Sequence, residues 1–70
     1  MAALPMTRDQ WIQRYVAAMK AGGSELSDDY LMARAEQGCD ATEAMGLPDP
    51  DSWEDPEVIA DEDLETEKGS

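Results

Sequence analysis

One amphipathic stretch, residues 7–21, constrains the fold more than any other, because it carries both its start and its stop signals. Thr7 at the N-cap and Gln10 three residues later form a capping box, and Met6 is placed to pack on Trp11 as a hydrophobic staple. Trp11, Ile12, Tyr15, Val16 and Met19 fall at i, i+1, i+4, i+5 and i+8, a single apolar stripe of a 3.6-residue period, and Gly22 and Gly23 end it. Lys20 lies in the last turn, where the helix dipole favours a cation. A helix with such a stripe does not stand alone in water. The rest of the chain must cover it.

The segment 28–37 is the natural partner. Ser27 is an N-cap, Asp28 and Asp29 put negative charge on the first turn, and Leu26 before the cap can staple to Leu31. Leu31, Met32, Ala35 and, one turn on, Cys39 supply the matching stripe. Gly38 reads as the stop, and Asp40 with Glu43 reads as a second capping box for a short helix over 41–45, closed by Gly46 and Pro48. With only about five residues between them, the first two helices form an antiparallel hairpin.

From Leu47 the pattern changes. Three of the four prolines, Pro48, Pro50 and Pro56, fall within ten residues, which imposes extended or turn conformations and forbids a regular helix there. Asp55 followed by Pro56 resembles a helix start, and Val58, Ile59, Ala60 and Leu64 give a weak stripe over 56–65. Neighbouring acids in that stretch repel one another and face an unfavourable C-terminal dipole, so this helix is marginal by itself. No alternation typical of a half-buried strand occurs. The expected fold is all-α, a helical hairpin or three-helix domain. Its parts are a compact helical domain over 1–47 and an acidic proline-rich segment over 48–70, docked or partly disordered.

Size and composition narrow the function classes. A 70-residue chain is one domain at most, and one this small buries only about 60% of its extended surface. A single cysteine, Cys39, excludes an internal disulfide or an all-cysteine zinc site. The first six residues carry no base and no run of signal-peptide length, and no stretch approaches the ~20 apolar residues of a membrane span, so the expected setting is cytoplasmic. Without histidine no Ser-His or Cys-His nucleophile pair can be built, and the core is too small to wall off a substrate pocket. An enzyme is therefore not expected, nor a cofactor. Counting from Asp49 as a calcium loop puts Trp53 at the fifth position and Glu54 at the sixth, where an oxygen ligand and a glycine are required, so no metal site is expected either. Cys39 reads as a small buried hydrophobe, because Glu36 and Asp40 work against a thiolate.

Charge carries what functional signal there is. Of a net −12, residues 1–47 hold four bases and seven acids, whereas residues 48–70 hold ten acids and only Lys68. A field this one-sided steers encounters with cationic partners and repels nucleic acid and anionic membrane. Direct nucleic-acid contact is excluded on the same ground: a helix-turn-helix over 31–45 offers acids where phosphates require bases. The acid run has three readings: solubilisation, electrostatic mimicry of nucleic acid on a cationic protein groove, and an acidic-hydrophobic peptide with Trp53, Val58, Ile59 and Leu64 as anchors. The candidate partner-binding residues are Asp49, Asp51, Trp53, Glu54, Asp55, Glu57, Asp61, Glu62, Asp63 and Glu65. The expected partner is the basic surface of a protein, such as a nucleic-acid-binding complex. In size, charge and helical class the chain resembles the small accessory proteins of phages and prophages, a group that includes anti-CRISPR inhibitors. That resemblance covers no motif and carries no residue across; it implies an inhibitor of nucleic-acid-handling machinery. The alternative is an assembly or self-association module that docks through an exposed stripe of Trp11, Tyr15 and Met19, its acidic end serving only solubility.

Overall fold

The computed structural model describes residues 6–69. Ser70 and residues 1–5, on which the signal-peptide reading falls, lie outside the described residues. The chain forms α1 (Arg8–Ala21), α2 (Asp28–Ala44), a short 3-10 turn (Pro50–Ser52) and α3 (Pro56–Gly69), with no strand among the described residues. It is a compact all-α domain of three helices.

The boundary of α1 follows from its caps. The Thr7 side chain accepts from the Gln10 N–H while the Gln10 side chain accepts from the Thr7 N–H, at 3.1 and 3.0 Å. At the other end, Ser24 N–H bonds Met19 O and Gly23 N–H bonds Lys20 O, the paired bonds of a Schellman motif, which needs the left-handed backbone of Gly23 (φ 88°). Ser27 caps α2 by accepting from the Tyr30 N–H at 3.2 Å. The same terminal motif closes α2: Leu47 N–H bonds Thr42 O, Gly46 N–H bonds Glu43 O, and Gly46 sits at φ 94°.

Here one expectation is corrected. The segments 28–37 and 41–45 are a single helix, uninterrupted at Gly38. Gly38 does not take the left-handed conformation, and the buried stripe Leu31, Ala35 and Cys39 continues straight through it. Burying Cys39 outweighs the ~1 kcal/mol that a mid-helix glycine costs relative to alanine. Asp40 and Glu43 do not form a capping box; both bind Arg8, at 2.8 and 2.9 Å.

The three helices run up, down and up. Arg8 meets Asp40 and Glu43 while Lys20 meets Asp28, which makes α1 and α2 antiparallel. Arg14 meets Glu57 while Ser24 meets Glu67, so α3 runs alongside α1 in the same direction. The first helix packs on both others and more extensively on α3. Its stripe is therefore covered: Trp11, Ile12, Tyr15 and Met19 are all buried, against Leu31, Ala35 and Cys39 of α2 and Pro56, Ala60 and Leu64 of α3. The exposed stripe required by the self-association alternative is corrected accordingly, since Tyr15 and Met19 are each only 1% accessible.

Candidate protein-binding surface

The residues between α2 and α3 pass over the start of α1. Asp49 caps the 3-10 turn by accepting from the Asp51 N–H at 3.2 Å, and Asp51 Oδ1 accepts from the Met6 N–H at 2.8 Å. Trp53 is half-buried, its ring edge-on to Trp11 at 5.9 Å, and its Nε1–H donates to Leu47 O at 2.6 Å. Trp11 in turn stacks on Tyr15 at 5.8 Å and donates Nε1–H to Glu54 O at 3.0 Å. Asp55 contributes its carbonyl to the first turn of α3, accepting from the Val58 and Ile59 N–H groups.

The ten candidate residues divide by what α3 does with them. Glu57 takes a two-pronged bond from Arg14, at 2.6 and 2.9 Å, and the guanidinium holds its carboxyl below the usual range. Asp63 turns inward, accepting the Tyr15 hydroxyl at 2.5 Å and lying 3.4 Å from Arg34 Nε. Burial, reinforced by that carboxylate, pushes the Tyr15 phenol upward. Asp61, Glu62 and Glu65 point away from the buried Pro56, Ala60 and Leu64 and are exposed, with Val58 among them at 44% accessibility. None of their three carboxylates, nor that of the exposed Glu54, has a hydrogen bond or ion pair among the described residues, although the Glu62 carbonyl accepts from the Thr66 hydroxyl at 3.1 Å. The structure thus gathers Asp61, Glu62 and Glu65 on one face and draws Glu57, Asp63, Asp49 and Asp51 into internal bonds.

The part that the sequence reading missed is the use of the cations. Arg8 and Lys20 each join α1 to α2, Arg14 joins α1 to α3, and Arg34 joins α2 to α3. Every base before Lys68 is engaged within the molecule. The turn positions held a partial signal: Arg14 stands three residues after Trp11 and one before Tyr15, at the edge of the apolar stripe where an interhelix partner is within reach. Glu67 was likewise missed; it accepts from the Glu25 N–H at 3.3 Å. Cys39 is buried, and burial pushes its thiol upward. Among the described residues no cluster of three or more His, Cys, Asp or Glu is placed to hold a metal ion, and no helix is long and apolar enough to cross a membrane.

No protein-family model, curated protein or solved structure matches this chain.

Proposed function

We propose that the protein is a small acidic binding module whose outward α3 face meets a cationic protein surface, and that it acts as an inhibitor occupying a groove built for nucleic acid. The observation that carries this reading is the segregation of charge. Arg8, Arg14, Lys20 and Arg34 are neutralised across helix seams, while the carboxylates of Asp61, Glu62 and Glu65 stand together on the exposed side of α3 without an ion pair, Lys68 being the one cation on that helix. Like charges at i,i+4, as at Asp61 and Glu65, destabilise a helix by about 0.2–0.5 kcal/mol. That penalty on an exposed face is offset when a polycation binds there. Carboxylates presented on a rigid helix compete with phosphates for the same arginines and lysines, and the attraction accelerates encounter. The proline-rich acidic segment and the C-terminal helix serve as the presenting element.

The test is capture of the partner from the native host with the parent protein and with a triple variant, Asp61→Asn, Glu62→Gln and Glu65→Gln. These positions lie off the core, so the variant keeps its fold. The expected result is displacement of the captured partner by nucleic acid and an association rate at least about tenfold lower for the variant at low salt. The difference closes near roughly 0.5 M salt, where the screening length is well under 10 Å. Equal binding by the triple variant, or capture insensitive to both salt and nucleic acid, overturns the proposal.

A further inference from the structure

The cleft between the second half of α2 and the 47–54 segment has a volume of about 300 Å³, and its walls include Trp11, Cys39, Leu47, Trp53 and Ile59. That is the lower bound of ligand-pocket volumes, a size for one side chain more than for a whole metabolite. Both indole N–H groups are already bonded, Trp11 to Glu54 O and Trp53 to Leu47 O, so the rings are fixed in place and present carbon. A preformed apolar wall binds without the ordering penalty that a mobile one carries.

Gly38 supplies a second, independent observation. It lies inside α2 and lines the same cleft, yet its backbone is not left-handed, and a Cβ there would meet nothing within 4 Å. Neither backbone geometry nor internal packing calls for glycine at this position, although glycine weakens a helix relative to alanine. What its missing side chain provides is close access to the helix backbone from the cleft. The charge around the cleft is one-signed: Glu54 is among its lining residues, Asp51 and Asp55 flank it in the chain, and the base of this region, Arg8, is held by Asp40 and Glu43.

We infer that this cleft receives one apolar side chain from a basic protein segment, the flanking lysines or arginines of which meet Glu54 and the α3 carboxylates. The inference rests on the cationic-partner reading above and adds a specificity pocket to it. The apolar side chain selects among basic segments, which charge alone does not distinguish.

The experiment uses the isotope-labelled protein and three short synthetic peptides: lysine-rich with a central leucine, the same with a central serine, and the leucine peptide with every lysine replaced by glutamine. The leucine peptide is expected to bind about tenfold or more tighter than the serine peptide, the increment for burying one such side chain. Its chemical-shift changes should centre on the Gly38 amide and the two indole N–H signals. A Gly38→Leu variant, which fills open space from a good helix former, should lose that increment and keep the binding of the serine peptide. Equal affinity for the leucine and serine peptides, or an undiminished increment in Gly38→Leu, overturns the pocket while leaving the charge reading intact. Binding of the glutamine peptide as tight as the lysine peptide, or no binding of either lysine-rich peptide, overturns the charge reading and the pocket with it.

Discussion

Removing a single oxygen tests how α3 is held. In Tyr15→Phe the buried ring stays and only the hydroxyl goes, together with its 2.5 Å bond to Asp63 Oδ2. Hydrogen bonds to charged acceptors contribute about 1.5–3 kcal/mol. The Asp63 side chain is 24% accessible and keeps Arg34 at 3.4 Å, so water and the guanidinium recover part of its solvation. The loss therefore belongs at the low end, about 1.5 kcal/mol. For a domain of this length total stability is roughly 3.5–10 kcal/mol, and the melting temperature should fall by about 6–12 °C. Urea and thermal unfolding of Tyr15→Phe, Asp63→Asn and the double variant measure it, with a coupling of about 1 kcal/mol expected between the two sites. A single variant within about 0.5 kcal/mol of the parent, or strictly additive effects, refutes the claim that this bond fastens α3 to α1.

Three further outcomes follow from the same geometry. Because the folded protein holds the Tyr15 proton above the ordinary phenol value, its contribution is complete below about pH 10 and is lost as pH rises beyond that, at up to about 1.4 kcal/mol per pH unit. In a Tyr30→Phe background, tyrosinate absorbance should appear together with loss of helical circular dichroism; tyrosinate forming first in the folded state would contradict this. Gly38→Ala should stabilise by about 0.5–1 kcal/mol, read as a higher urea midpoint at constant slope, and a lower midpoint would show that the helix there is constrained in a way the geometry lacks. Gly22→Ala should go the other way, by about 1 kcal/mol, since its Cβ would run into Leu64 Cδ1 and force a core side chain to turn; an unchanged melt would mean that Leu64 is not seated over that glycine.

Local signals on the two hairpin helices were legible because they act over a few residues. The Thr7 and Gln10 capping box, the Gly22-Gly23 stop, the Ser27 cap and the apolar stripes of α1 and α2 stand where their spacing puts them, except that Met32, expected in the α2 stripe, is exposed beside it. Gly38 misled for a physical reason: a glycine is a helix stop only if the chain turns left-handed there, and that is decided by what lies beyond. Beyond Gly38, Cys39 still had a core to enter. The burial of Trp11, Tyr15 and Met19 on two sides was also beyond local reading, because it depends on the direction in which α3 returns. For the acidic surface, counting charges located the region, but separating Asp61, Glu62 and Glu65 from Glu57 and Asp63 needed the positions of Arg14, Arg34 and Tyr15 on other helices.

The up-down-up order also decides which helix dipole is left without an antiparallel neighbour. The peptide dipoles of α1 and α2 largely oppose one another, leaving that of α3, whose last turn carries about half a negative charge and holds Lys68 to offset it. The exposed acids are spread along the helix, Glu54 and Asp55 before its start and Glu62 and Glu65 beyond its first turn. A lysine in the last turn of α3 thus does for that remaining dipole what an antiparallel neighbour does for α1 and α2.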